Sequence, residues 1–153
     1  MAKNYMHIDE LVKIDPDDAS LEVRALSDKL LRKLVEETLE FVADDTKTRV
    51  LDYSYSNIVL SFAFRRYPSE QLRDTFSELA GRAMLYLSNS ALKSRCPDQQ
   101  TSAIFAAECI FHNRQLTVKP EVIEIARKNF KKLANESTDK YVRQRARGVL
   151  EEI

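Results

Sequence analysis

The sequence predicts an all-α fold of antiparallel helical hairpins, stacked as a short solenoid or an irregular bundle. Glycine is scarce, with two glycines and four prolines in 153 residues, whereas sandwiches and barrels need many tight turns. Apolar residues recur at three- and four-residue steps through most of the chain. Apolar residues make up 44% and charged residues 31% of the chain, a composition typical of a folded protein.

The length of the chain favours a single domain over residues 1–153, able to bury roughly 70% of its unfolded surface. Residues 1–15 are expected to be a peripheral leader. Within it, the pattern of MHIDELVKI over 6–14 predicts a short helix.

The first long helix is predicted over about 16–43. Asp15 can cap it, Pro16 suits its first position, and the two aspartates that follow favour the positive helix end. Leucines and valines then recur at helical spacing, with an interruption at Glu37 and Thr38. An uninterrupted helix of this length would be about 40 Å long.

The stretch 49–66 has two interpretations, and both bury it. Its apolar residues fit helical spacing, but they also alternate and are rich in β-branched and aromatic types. A β-hairpin turning near Ser56 and Asn57 is therefore the alternative. We favour the helix, because the neighbouring segments are helical and no glycine marks a turn.

The middle of the chain predicts two more helices. Pro68 opens the first, which is expected to bend or fray near 88–90. Pro97 restarts the chain before TSAIFAAECIFH, which is apolar almost all round apart from Glu108. A helix of that kind normally lies in the middle of a core.

The last 34 residues predict a pair of helices. Pro120 begins the first, and Ser137 to Asp139 supply a cap for the second. Pro16, Pro68 and Pro120 are each 52 residues apart, a period that would suit three stacked hairpins.

The final helix carries the spacing D-x-x-V-R-x-x-A-x-x-V-L over 139–150, which resembles the second helix of a HEAT repeat. The resemblance covers 120–153 and implies a HEAT-like solenoid. It also implies that Asp139 caps the helix and that Arg143 forms a structural ion pair. Proteins built from such repeats are mostly binding scaffolds.

Charge is unevenly distributed although the formal net charge is zero. Residues 1–50 contain 8 Lys/Arg against 12 Asp/Glu, and residues 101–153 contain 10 against 7. The last two helices therefore provide a candidate binding surface of basic side chains. These are Arg127, Lys128, Lys131, Lys132, Lys140 and Arg147.

This basic set has more than one interpretation. It could neutralise phosphates, although no aromatic residues interleave with it to stack bases. It could also face an acidic protein surface, such as the acidic N-terminal helix of a second copy. Because acids interleave with the cations, an ordinary solvated helix face is the third interpretation.

Two sets of potential metal ligands are recognisable. Cys96, Cys109 and His112 have the spacing C-x12-C-x2-H, but a fourth ligand would have to come from His7 or Glu108. The preferred interpretation is that Cys109 is a core residue and that His112 marks a helix end.

Glu36, Glu37 and Glu40 include an E-x-x-E pair of the sort found in helical nucleotide pyrophosphohydrolases. Such sites need a second acidic pair to hold magnesium. The preferred interpretation is that these acids pair with Arg32 and Lys33 along their own helix.

These observations predict a non-catalytic protein–protein interaction module or scaffold that binds another protein or itself. The alternative is a nucleic-acid-binding protein that uses the basic C-terminal hairpin. Glycine-rich nucleotide loops cannot occur with glycines only at 81 and 148, so we expect no cofactor and no small-molecule ligand. No membrane partner is expected, and the absence of a signal-peptide pattern and of a cysteine framework favours the cytoplasm.

Overall fold

The computed structural model describes residues 5–43 and 50–153, with side chains from residue 54 onward in the second range. Within these ranges the regular structure is entirely helical, without a strand, which confirms the all-α prediction. The helices are α1 Ile8–Leu11, α2 Pro16–Arg24, α3 Asp28–Ala43, α4 Val50–Arg65, α5 Arg73–Lys93, α6 Pro97–His112, α7 Pro120–Glu136 and α8 Lys140–Glu152.

Residues 50–65 form the helix α4, so the β-hairpin alternative is wrong. Ser56 and Asn57, where the hairpin would have turned, lie buried inside this helix. The predicted burial is confirmed on the described part of α4, where Leu60 and Phe64 have no exposed surface.

From α3 onward, consecutive helices pack in pairs, and each pair packs against the next. α3 contacts α4, α5 contacts α6, and α7 contacts α8. Between the pairs, α3 contacts α5 and α5 contacts α7, while α4 contacts α6 and α6 contacts α8. At the N-terminal end, α1 packs on α3 and α2 packs on α4.

The apolar helix α6 lies in the middle of this packing, as its sequence predicts. It contacts α4, α5 and α8. Its small residues Ala103, Ala106 and Ala107 are completely buried, which lets the neighbouring helices approach closely.

The single helix predicted over 16–43 is wrong, because α2 ends at Arg24 and α3 begins at Asp28. The guanidinium of Arg66, just after α4, donates to the carbonyl oxygens of Arg24 and Leu26, both at 2.6 Å, and to that of Val23 at 3.2 Å. Carbonyls at a helix end lack partners within the helix. Arg66 supplies those partners from another element, so the chain can turn without a glycine.

The fraying predicted near 88–90 is also wrong, since α5 continues through these residues to Lys93. Asn129 on α7 donates to Ser88 Oγ at 3.1 Å and to Asn89 Oδ1 at 3.0 Å. The polar residues that suggested a break are therefore contacts between two helices.

Both predicted aspartate caps are confirmed. Asp15 accepts from the backbone N–H of Asp17, and Asp139 accepts from that of Val142, each at 2.9 Å. Pro16 begins α2, which lies outside the α3–α4 pair, so the 52-residue proline period does not mark three equivalent hairpins.

Candidate functional site: an aromatic cleft beside the central helix

Within the acidic cluster of α3 (Glu36, Glu37 and Glu40), Glu37 contacts the N-terminal segment. Glu37 accepts from the hydroxyl of Tyr5, and its carboxylate lies 2.5 Å from Nδ1 of His7. The ammonium of Lys33 lies 4.6 Å from the ring centre of Tyr5. The predicted pairing of Glu37 with Lys33 along the helix is thus replaced by contacts with residues thirty positions earlier.

The other two acids of this cluster do not join Glu37. Glu36 pairs with Arg32 at 3.0 Å, as predicted, and Glu40 is exposed. Among the side chains of residues 5–43 and 54–153, no three histidine, cysteine or carboxylate groups converge as a metal site.

The predicted Cys/His set is split by the fold. Cys96 precedes α6 at its N-terminus, whereas Cys109 and His112 lie near its C-terminus. Burial raises the pKa of the Cys109 thiol to about 11, so this side chain stays neutral at physiological pH. Nε2 of His112 lies 2.5 Å from a carboxylate oxygen of Glu152 on α8.

Cys109 and His112 instead line a cleft of about 300 Å³ near the C-terminal ends of α4 and α6, which we call the aromatic cleft. Its lining consists of Phe64, Arg65, Tyr67, Phe105, Cys109, His112 and Asn113. Asn113 joins the two helix ends, because its side-chain amide donates to the carbonyl oxygens of Phe64 at 2.9 Å and Arg66 at 2.7 Å.

The cleft has a buried apolar floor and exposed aromatic walls. Phe64 and Cys109 are buried, whereas Phe105 is 43% and Tyr67 is 72% exposed. Apolar floors rimmed by exposed aromatic side chains are typical of surfaces that bind other molecules.

Arg65 contributes a positive charge to the cleft, and none of the described lining residues is a carboxylate. The carboxylate of Glu152 is not among those lining residues, but it pairs with His112. Glu108 lies on the neighbouring face of α6, 3.4 Å from Arg145 of α8. Burial raises the pKa of Glu108, and the charge of Arg145 opposes that shift.

Sequence reasoning missed this site, although one signal was present. Phe105, Cys109 and His112 recur at four- and three-residue steps, which places them on one face of a helix. From sequence alone this segment is interpreted as a core helix, with His112 at its end. Nothing in the sequence indicated that the C-terminal end of α4 would leave this face partly uncovered.

The six basic residues proposed from the sequence all lie on α7 and α8. Arg127 is half-buried and pairs with Glu124, while the other five are exposed. At 3.6 residues per turn, Lys128, Lys131 and Lys132 project within about 100° of one another around α7.

Lys132 also lines a second cleft, of about 420 Å³, between the α5–α6 and α7–α8 turns. Arg95 contributes a second cation there, but Glu136 and Asp139 line the same cleft. Its charge is therefore mixed, unlike that of the aromatic cleft.

Arg143, which the HEAT resemblance assigns to an ion pair, contacts the turn of its own hairpin. Its guanidinium donates to the carbonyl oxygen of Ser137 at 2.7 Å. Arg143 thereby satisfies a carbonyl beside the C-terminus of α7, a structural role within the turn.

Comparison of the chain with protein-family models, with curated proteins and with solved structures gives no match in any of the three. In the described part of the chain, no helix combines the length and apolarity needed to cross a membrane.

Proposed function

We propose that the chain is a non-catalytic helical module, a short HEAT-like solenoid that binds another protein through the aromatic cleft. The packing of successive helix pairs supports the solenoid, because each pair contacts the next through both of its helices. In solenoids, this kind of stacking buries a continuous core and leaves extended faces for binding.

The observation that carries the proposal is the exposure of Phe105. It lies on the central helix α6, among completely buried alanines, yet 43% of its surface is exposed. It shares the cleft with an exposed tyrosine and an arginine. Aromatic residues and arginine are the types enriched at the energetic centres of protein interfaces.

The test is affinity purification from the cells that make this protein, followed by mass spectrometry. The cleft variant Phe105→Ala with Tyr67→Ala is compared with a surface control, Lys128→Ala with Lys131→Ala. We expect the wild type and the surface control to capture the same partners and the cleft variant to lose them. Identical capture by all three proteins would refute binding through the cleft.

Nucleic-acid binding through the basic residues of α7 and α8 is a second candidate, supported by five exposed cations. Fluorescence anisotropy with duplex and single-stranded oligonucleotides tests it. Phosphate binding would weaken steeply between about 50 and 200 mM salt, and charge reversal at Lys128 and Lys131 would reduce the salt dependence. If no binding occurs at the lower salt concentration, this candidate is excluded.

A further inference from the structure

The outer face of α2 has the chemistry that complements the aromatic cleft. Leu21 is 58% exposed there. Asp17 and Asp18 lie four and three residues before it, hence on the same helix face, and both are exposed. We call these three residues the acidic α2 face. It presents one apolar side chain flanked by two carboxylates.

The cleft presents the opposite pattern. Exposed rings of Tyr67 and Phe105 surround an apolar floor, and Arg65 adds a positive charge, while none of the described lining residues is a carboxylate. The charge of the larger regions agrees with this local pattern. Residues 8–43 carry 10 Asp/Glu against 5 Lys/Arg. Such complementarity steers two surfaces together and fixes their register.

The acidic α2 face and the cleft are linked through the side chain of Phe62. The guanidinium carbons of Arg24 and Arg65 lie 4.8 and 5.6 Å from the ring centre of Phe62. Arg24 follows Leu21 by one helical turn, and Arg65 lines the cleft. One phenylalanine side chain therefore connects the two surfaces.

We propose that the chain forms a two-fold symmetric homodimer in which the acidic α2 face of each copy docks in the aromatic cleft of the other. Leu21 enters between Tyr67 and Phe105, and the two aspartates face Arg65. Because Phe62 connects the two surfaces, a two-fold axis between them lets each copy fill the cleft of the other and closes the assembly, as an isologous interface requires. The inference rests on the proposed function, since it names a partner for the same cleft.

The mass of the full-length chain in solution, measured by sedimentation from low to high micromolar concentration, tests the pairing. We expect a dimer for the wild type and weaker dimers for Leu21→Ser and for Phe105→Ala. Leu21 is already partly buried in one chain and the contact occurs twice, so the dissociation constant should rise by at least about 10-fold. The matched control is Ile125→Ser, at an apolar position of α7 that is 46% exposed. It should leave the dissociation constant of the dimer unchanged.

A charge exchange gives a sharper test that does not depend on lost packing. Asp18→Arg and Arg65→Glu, each alone, place like charges at both contacts and should be monomeric. Mixing the two variants places opposite charges at both contacts, so a heterodimer of two chains should form. Circular dichroism of each variant confirms that it is folded.

Three results would overturn the homodimer: a wild type that stays monomeric, a dimer that Leu21→Ser and Phe105→Ala leave intact, or assemblies larger than two chains. Its failure is distinguishable from failure of the proposed function. Leu21→Ser keeps the cleft intact, so it should still capture cleft-dependent partners in the affinity experiment. Partner capture by a monomeric protein would remove the homodimer and keep the binding module.

Discussion

The aromatic cleft and the basic surface of α7 and α8 differ in how the chain produces them. The basic surface comes from one local hairpin, and its cations can be read from helical spacing alone. The cleft joins α4 to α6, whose lining residues Phe64 and Phe105 are about forty positions apart in sequence. Charge along a helix is a local property, whereas a cavity depends on which helices meet.

The two regions also differ in composition. Glu124 neutralises Arg127, and two carboxylates share the second cleft with Lys132. The aromatic cleft has fewer charges. His112 pairs with Glu152 of α8, whereas no carboxylate among the described lining residues balances Arg65. A surface with many interleaved charges gives little net attraction, and for this reason we favour the cleft as the binding site.

The largest expected effect is a loss of stability on substitution at the floor of the cleft, compared with a small loss at its wall. Phe64→Ala should lower the free energy of unfolding by about 3–5 kcal/mol, because Phe64 is completely buried. Phe105→Ala should lower it by less than about 1.5 kcal/mol, since much of this ring is already exposed. Urea denaturation measures both. Equal losses would mean that Phe105 serves the core and not a binding surface.

Arg66→Met should lower the free energy of unfolding by about 2–4 kcal/mol, because it leaves the carbonyls at the end of α2 without their donor. Arg65→Met is the matched control and should change the stability by less than about 0.5 kcal/mol. Urea denaturation monitored by circular dichroism compares them. A similar effect of the two substitutions would refute the role of Arg66 in turning the chain between α2 and α3.

On the basic hairpin, Asp139→Ala should lower the free energy of unfolding by about 1 kcal/mol, through loss of the α8 cap. The control is Glu151→Ala, an exposed position in the last turn of the same helix. Thermal and urea denaturation give the comparison. No difference between the two variants would show that the cap does not stabilise the hairpin.

Gly148→Ala should stabilise the protein by about 0.5–1 kcal/mol, because a glycine inside a helix is unfavourable. Its φ is not positive, and a Cβ added there meets no atom within 4 Å. Gly81→Ala, also within a helix and with open space, provides a parallel case on α5. A loss of stability, measured by urea denaturation, would contradict the open environment of Gly148.

The smallest expected effect is a pH dependence at the border of the cleft. Burial raises the folded-state pKa of Glu108 above its ordinary value of 4.5, so the folded protein holds this proton more tightly than the unfolded chain. Stability from this group is present at low pH and is lost as pH rises through the folded pKa. The free energy of unfolding of the wild type, minus that of Glu108→Gln, should therefore fall from pH 4.5 toward neutrality.

Urea denaturation at several pH values measures this difference. Glu151→Gln, at an exposed position, is the control and should show no such trend. A difference for Glu108→Gln that rises with pH would contradict the raised pKa.

The helices and the caps could be predicted because their causes are local. Amphipathic spacing and the caps at Asp15 and Asp139 depend on residues within a few positions of each other. The break between α2 and α3 could not be predicted, since its donor, Arg66, lies about forty residues away. The continuity of α5 through Ser88 likewise depends on Asn129 of another helix.

The sequence by itself therefore determined the helical class, the starts of the helices led by Pro16, Pro97, Pro120 and Asp139, and the distribution of charge, because each follows from short-range periodicity and capping. Tertiary structure alone decided where α2 stops and which face of the apolar helix α6 stays uncovered. Both outcomes depend on contacts between residues distant in sequence, in particular Arg66 with the α2 carbonyls and Asn113 with the end of α4. The cleft between α4 and α6 exists for that reason.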